Sequence, residues 1–317
     1  VAGERAEPTL AEALRAGALT LDGGLGTRLE TRGNDVTGSL WSAEVLRSRP
    51  EEVRAAHADY FSAGARIATS CSYQVTADGF ARAGLPAHEA ATLLARSVEL
   101  AREAADAPAE ASVPGEPRWV LASIGPYGAA RADGSEYTGD YGSAVGVAEL
   151  RAWHRPRLRA LDAAGADALL CETIPSLTEA EALAAELAEC HTPGILSVSL
   201  VDGKLPSGDS PAAVARLAAR TRGLIAVGVN CCAAADAAAA LREMREACAL
   251  PLVVYPNSGE QWHADTRSWS GSSASLAGHV AEWAAIGARL IGGCCRVDVD
   301  ELGQISAAVA RWNRERR

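Results

Sequence analysis

The sequence predicts an α/β protein, a single-domain (β/α)8 or TIM barrel, on three observations. Short apolar runs alternate with longer Ala/Leu/Glu/Arg segments of helical period. Several of those helical segments end in a glycine just before the next apolar run, where a helix favours a left-handed residue. The alternation continues across residues 1–317 with no Pro/Ser-rich linker, so one domain is expected.

Taken in order, strands are expected at Ala18–Asp22, Ala65–Cys71, Trp119–Ile124, Asp167–Cys171, Ile195–Val201, Ile225–Asn230, Leu252–Pro256 and Arg289–Gly293. They read as nearly unbroken apolar runs, as parallel strands covered on both faces do. Helices are expected at Glu51–Ala63, Ala87–Ala105, Glu149–Ala163, Thr178–Cys190, Pro211–Arg220, Ala235–Ala247, Ser275–Ile286 and Val299–Arg314. The glycine endings fall in AGAR from Ala63, AGAD from Ala164 and IGAR from Ile286. The rival is an open doubly wound sheet, which usually carries a glycine-rich phosphate turn after its first strand. DGGLGTRLE occupies that place here but does not spell G-x-G-x-x-G.

Composition narrows the function. Hydrophobic residues make up 48% and charged residues 22%, enough for a sizeable core and too apolar for a disordered chain. A formal net charge of −10 argues against nucleic acid and anionic membranes and for a small-molecule partner. Charges and glycines interrupt every apolar stretch before the roughly 18 residues of a membrane span. The first residues lack a basic end followed by an apolar run, so a cytoplasmic location is expected. There the 8 cysteines are reduced, and several are expected to be ligands. With only 2 Phe and 1 Met, the large aromatics are candidates for sites.

Barrel active sites gather at the C-terminal ends of the strands. Those ends carry Asp22-Gly23-Gly24, Cys71-Ser72-Tyr73, Gly125-Pro126-Tyr127, Cys171-Glu172-Thr173, Asn230-Cys231-Cys232, Pro256-Asn257-Ser258 and Cys294-Cys295, so polar, aromatic and thiol groups are expected to converge on one rim. Cys231 follows the sixth strand, and Cys294 and Cys295 follow the eighth, which only one strand separates from the sixth. Soft thiolates in tetrahedral geometry select Zn2+. Adjacent Cys294 and Cys295 would close a strained ring if paired, and Gly292-Gly293 let both sulfurs turn toward one ion. Three thiolates leave a fourth position open, the arrangement of a catalytic rather than a structural zinc site. A thiol substrate entering there would be deprotonated and nucleophilic, which is the chemistry of alkyl transfer to sulfur.

With these motifs the chain resembles the homocysteine S-methyltransferase family along nearly its whole length. The resemblance runs from DGGLGTRLETRG through SLWSAEVL, ATSCSYQVT, SIGPYGA, DGSEYTGDY, CETIPS, GVNCC and VVYPNSGE to GGCCR. The GPYGA, DGSEYTGDY and YPNSGE combination is most similar to the compact branch that uses S-methylmethionine, with S-adenosylmethionine as a second candidate donor. The resemblance implies a (β/α)8 barrel, a catalytic zinc on Cys231, Cys294 and Cys295, and homocysteine plus a sulfonium methyl donor as partners. It implies that Asp22 and Glu172 hold the homocysteine ammonium and that the Gly23-Gly24 backbone receives its carboxylate. Trp41 and Tyr73 match aromatic positions on the donor side in the betaine-using branch, where ring faces hold a cation. Tyr127, Tyr137 and Trp262 are weaker candidates of the same kind, and His263 is a candidate donor contact.

Cys71 and Cys232 depart from the pattern and are expected to be structural, while His57, His88, His191 and His279 are expected at the surface or in packing. His154, in AWHRPR, recurs in the family without an evident chemical role. Three alternatives stay open at this point: betaine as donor, selenocysteine as acceptor, and a non-catalytic zinc-holding or thiol-binding barrel.

Overall fold

The computed structural model describes residues 7–108, 116–131, 133–263, 268–270 and 275–316, with Tyr137, 261–263 and 268–270 described by their backbone alone. Strands β1 (Leu19–Thr20), β2 (Ile67–Thr69), β3 (Trp119–Ile124), β4 (Ala168–Ile174), β5 (Gly194–Val198), β6 (Leu224–Asn230) and β7 (Leu252–Tyr255) are followed by a hairpin, β8 (Gln261–His263) with β9 (Ser268–Ser270), and by β10 (Ala288–Ile291). One parallel sheet takes the order β1-β10-β7-β6-β5-β4-β3-β2. A parallel bridge between Leu21 and Ile67, and an Arg66 N–H bond to the Thr20 carbonyl at 2.8 Å, join its two edges. The sheet is therefore a closed barrel, as the alternation predicts.

Helices Pro50–Ser62, Glu89–Asp106, Val147–Asp162, Leu177–Leu187, Pro211–Arg220, Ala234–Ala247, Val280–Ile286 and Val299–Arg314 surround the barrel. Gly64, Gly165 and Gly287 end three of them with φ of 101°, 80° and 127°, conformations that a Cβ would disfavour.

Alternation along the strands sorts the core into two layers. Leu21, Ile67, Leu121, Leu170, Ile195, Ala226, Val253 and Leu290 fill the barrel interior. Leu10 and Leu14, from the short helix Leu10–Ala16, join that cluster at the N-terminal ends of the strands. The intervening residues, among them Ala68, Val120, Leu169, Leu196, Val227, Val254 and Ile291, pack outward with the helices.

β1 and β2 are shorter than expected at both ends, β4 runs on to Ile174, and further boundaries differ. β5 ends at Val198 rather than Val201, because Val201 turns back to pair with Lys204 in an isolated antiparallel bridge. The helix expected to reach Cys190 stops at Leu187, and the stretch from Ser275 begins as a 3-10 turn before becoming helical at Val280. The short helices Leu25–Thr31, Ser42–Ser48, Ala77–Arg82 and Tyr127–Arg131 and the β8/β9 hairpin stand in segments expected as connections.

Candidate active site

The same alternation that buries Leu121 and Leu170 carries upward to the barrel mouth. Two residues beyond the apolar interior layer, and four in β6, where Gly228 intervenes, the inward positions become Thr69, Ser123, Glu172, Ser197, Asn230 and Tyr255, all but Thr69 buried. Polar side chains there cannot reach bulk water and must satisfy one another. Ser123 donates to one Glu172 oxygen, and Tyr255 donates its hydroxyl to the other at 3.0 Å. Asp22 accepts from the Thr69 N–H at 2.6 Å and the Thr69 hydroxyl at 2.9 Å.

Both carboxylates lack a cationic partner among the described residues. Burial, reinforced by repulsion from Glu172, pushes Asp22 up to about 8. Burial likewise raises Glu172 to about 7, with Cys294 adding to the effect. Two buried carboxylates so raised would return to their ionised state beside a cation.

The three expected cysteines stand at the same mouth, and the backbone leading to Cys294 adjoins the first carboxylate's segment, the Gly293 N–H donating to the Asp22 carbonyl at 3.2 Å. The Cys231 Sγ lies 2.9 Å from Cys294 Sγ and 3.8 Å from Cys295 Sγ, and Cys294 and Cys295 are 4.0 Å apart. Ligands about 2.3 Å from a tetrahedral zinc sit roughly 3.8 Å from each other, so two separations match such a shell and the third is tighter. Hydrogen bonds from Cys231 and Cys294 hold Cys295 well below the usual thiol range, whereas hydrogen bonds with Cys294 and Cys295 push Cys231 well up. The trio's donor chemistry and spacing fit a soft divalent metal, and it forms the only cluster of metal-ligand type among the described residues.

The local backbone explains how distant segments present these sulfurs. Cys231 takes a φ of 47° and Thr173 a φ of 61°, both left-handed and unfavourable for side-chain-bearing residues. Asn230 holds the two together: its Oδ1 accepts from the Thr173 N–H at 2.9 Å and its amide donates to the Thr173 hydroxyl at 2.8 Å. On the other segment, Cys294 N–H donates to the Pro256 carbonyl at 2.8 Å, and Cys295 N–H donates to Asn257 Oδ1 at 3.2 Å. Gly24 packs against this loop, since a Cβ there would meet the Cys294 carbonyl oxygen at 2.5 Å.

That packing corrects one expectation. The Gly24 N–H donates to the Val297 carbonyl at 3.0 Å, so it is committed within the fold and is not free to receive a substrate carboxylate. Gly23 is equally tight, a Cβ there meeting the Val297 oxygen at 2.4 Å. The other strand-end thiols keep the structural role expected of Cys71 and Cys232, and Cys171 shares it. Alternation turns Cys171 outward, the turn after β2 carries Cys71 into the outer core, where its thiol donates to the Ser42 carbonyl, and Cys232 also joins that core, so three thiols are left to meet at the rim. Burial raises Cys71 to about 12 and pushes Cys171 and Cys232 higher still, keeping all three protonated.

Among the aromatics, Tyr73 follows β2, its carbonyl and ring resting against Gly125 at the end of β3. Trp41 immediately precedes helix Ser42–Ser48, whose first carbonyl accepts from Cys71 at the β2 rim, and its side chain is 38% exposed. Tyr127 packs edge-on against Tyr141 and Trp153, which commits its ring to a cluster behind the rim. The side chains of Tyr137, Trp262 and His263 lie outside the described residues. His57 is fully buried and His88 and His191 are exposed, as expected of packing and surface residues. A cavity of about 530 Å³, lined by Leu14, Arg15, Arg245 and Arg289, opens at the opposite end of the barrel and shares no residue with the carboxylate and sulfur groups.

Sequence reasoning missed Thr69, Ser123, Ser197 and Tyr255. Counting by twos from the apolar interior residues would have found them, because each continues the inward phase of its strand.

A sequence profile of the homocysteine S-methyltransferase family matches residues 19–309. The homocysteine S-methyltransferase of Escherichia coli is 44% identical over 294 residues, 91% of this chain and 94% of that protein. Homocysteine S-methyltransferase YbgG of Bacillus subtilis is 43% identical over 296 residues, 91% of this chain and 93% of that one. The metallated form of the homocysteine methyltransferase MmuM from Escherichia coli superposes with a TM-score of 0.83 at 42% identity, over 93% of this chain and 99% of that one. With the same barrel and near-complete coverage, this chain belongs to the homocysteine S-methyltransferase family of enzymes.

Proposed function

We propose that this protein transfers a methyl group from a sulfonium donor, S-methylmethionine or S-adenosylmethionine, to the thiol of homocysteine, giving methionine. The observation that carries this is the convergence of two buried, cation-deficient carboxylates and a three-sulfur cluster on one barrel mouth. An amino acid bearing a thiol has the complementary pair of groups.

Cys231, Cys294 and Cys295 would hold zinc, which supplies a Lewis acid that favours the ionised form of the substrate thiol. Asp22 and Glu172 grip the ammonium, and Thr69, Ser123 and Tyr255 keep those carboxylates in place through their hydrogen bonds. Gly23 remains on the carboxylate side of the substrate, and Gly24 supports the cysteine loop. Trp41 and Tyr73 face the sulfonium, whose charge their ring faces hold at roughly 0.5 to 2 kcal/mol. The substrate sulfur forms a bond to the donor methyl carbon while the carbon–sulfur bond of the donor breaks. The bonding pair leaves with the donor sulfur, which becomes a neutral thioether. Holding both sulfurs in line supplies the near-attack geometry. None of the 8 cysteines forms a disulfide, which suits work in a reducing cytoplasm. No helix among the described residues is long and apolar enough to cross a membrane.

The test is methionine formation by the purified protein from homocysteine with S-methylmethionine, S-adenosylmethionine or betaine, with and without a chelator. Chelator-sensitive turnover of a sulfonium supports the proposal. Betaine turnover exceeding sulfonium turnover overturns the donor assignment, and no turnover with any donor overturns the activity.

A further inference from the structure

Behind the rim lies a buried polar chain that the reaction does not itself require. Glu179, fully buried in helix Leu177–Leu187, accepts from the Tyr127 N–H at 2.6 Å and from the Tyr141 hydroxyl at 2.6 Å. Its Oε1 also lies 2.8 Å from His154 Nε2. The other ring nitrogen, Nδ1, is 3.2 Å from Arg157 Nη2. A guanidinium only donates, so Nδ1 accepts, the ring proton sits on Nε2, and His154 is neutral. Burial, which lowers the His154 pKa, favours the same state.

Arg157 is itself buried, and it forms no salt bridge among the described residues. Its Nη2 donates to the Gly125 carbonyl and its Nη1 to the Tyr73 carbonyl at 3.3 Å. These two carbonyls belong to the turns that follow β3 and β2, on the side of the mouth where Tyr73 stands. A Cβ on Gly125 would lie 2.7 Å from the Tyr73 oxygen and 2.8 Å from its ring carbon Cε2. Tyr73 is thus seated on one turn and tied to it by one guanidinium. Burial lowers that guanidinium to about 10, which leaves it charged at neutral pH and its hydrogen bonds charge-assisted.

We propose that Arg157 is a positioning residue for the methyl-donor half of the site, fixing Tyr73 through the Tyr73 and Gly125 carbonyls. Glu179 anchors the arrangement through neutral His154 and at the same time binds the start of the segment after β3 through Tyr127 and Tyr141. This gives His154 a role: it joins a buried anion to a buried cation without placing them in contact. The proposal rests on the placement of Tyr73 at the donor in the proposed function.

Two measurements on the intact protein separate the clamp from that reading. Hydrogen exchange is followed at the amides of Val75, which donates to Ser72, and of Tyr127, in the unsubstituted protein, Arg157→Met and Arg157→Lys. Loss of a charge-assisted bond in the Met variant should speed exchange about tenfold, with partial recovery in the Lys variant. Steady-state kinetics should show the donor KM raised about tenfold, with the homocysteine KM and metal content unchanged. Combining Arg157→Lys with Tyr73→Ala should give less than the sum of the separate effects.

Unchanged exchange in both variants overturns the clamp. Faster exchange with an unaltered donor KM keeps Tyr73 tied to Arg157 but overturns its link to the donor. Equal rises in both KM values reduce Arg157 to general structural support and overturn the positioning role. Should the unsubstituted protein turn over no donor, the functional reading fails, and exchange alone decides whether the clamp exists.

Discussion

Asp22 illustrates how a single side chain can cost stability in order to bind. Its pKa rises from 3.8 in the open chain to about 8 in the fold, so the folded state keeps a proton that the unfolded state gives up between those values. The ligand-free protein should therefore lose stability as the pH rises through that window. Asp22→Asn should flatten this dependence and raise the urea midpoint at pH 8 relative to pH 5, while weakening homocysteine binding. A wild-type midpoint that climbs across the same range, undiminished by the substitution, would contradict the burial effect. At the cysteines, Cys294→Ser exchanges a soft thiolate for a hydroxyl and should weaken metal affinity by more than roughly a hundredfold. Metal stoichiometry after dialysis reads that loss directly, and full occupancy in the variant would refute the three-sulfur site. The three cysteines were legible in the sequence from their places after the sixth and eighth strands, whereas Asp22 was singled out by the resemblance to the family, since an acid at a strand end can equally cap a helix or shape a turn. The supporting side chains were less legible: Ser123 and Tyr255 look ordinary until strand phase shows which way they point.

At the scale of the element, apolar runs identified the eight barrel strands because parallel strands are covered on both faces and tolerate little else. Their ends were harder to place. β5 stops at Val198 because Val201 finds a partner in Lys204, a pairing set by chain reversal rather than by hydrophobicity. The four rim-side helices escaped notice since stretches such as Tyr127–Arg131 are too short to display a helical period. Helix Pro50–Ser62 carries an element-level liability in His57, buried with neither ring nitrogen bonded among the described residues, its pKa lowered by burial from 6.5 to about 4. The unfolded chain takes up that proton first, so His57 costs stability as the pH falls from about 6.5 to 4. His57→Met, apolar and flexible enough to fill the space, should remove this part of the acid sensitivity. Denaturation midpoints at pH 7 and pH 5 check it: an unchanged difference between the two would show that the ring is solvated or bonded.

Across the whole molecule, closure depends on contacts between the first and later parts of the chain. Leu21 meets Ile67, β1 pairs with β10, and Leu10 and Leu14 cap the interior from the end opposite the site. Leu14→Ala would leave a cavity in that cap and should cost about 2–5 kcal/mol of stability without altering metal affinity. Equal loss of metal binding would mean that the two ends of the barrel are coupled.

The repeat, the eight strands and the chemical identity of the strand-end residues were written in the sequence, because burial on both faces restricts strands to apolar residues and glycine marks where helices must end. Tertiary structure decided which of those strand-end groups meet. Strand phase turned Cys171 away while bringing Glu172, Tyr255 and Ser123 inward, the turn after β2 took Cys71 out of the site, and barrel closure set Cys231 beside Cys294 across 63 residues. Neither outcome follows from local composition, since each depends on where a residue falls relative to strands that the sequence places far away.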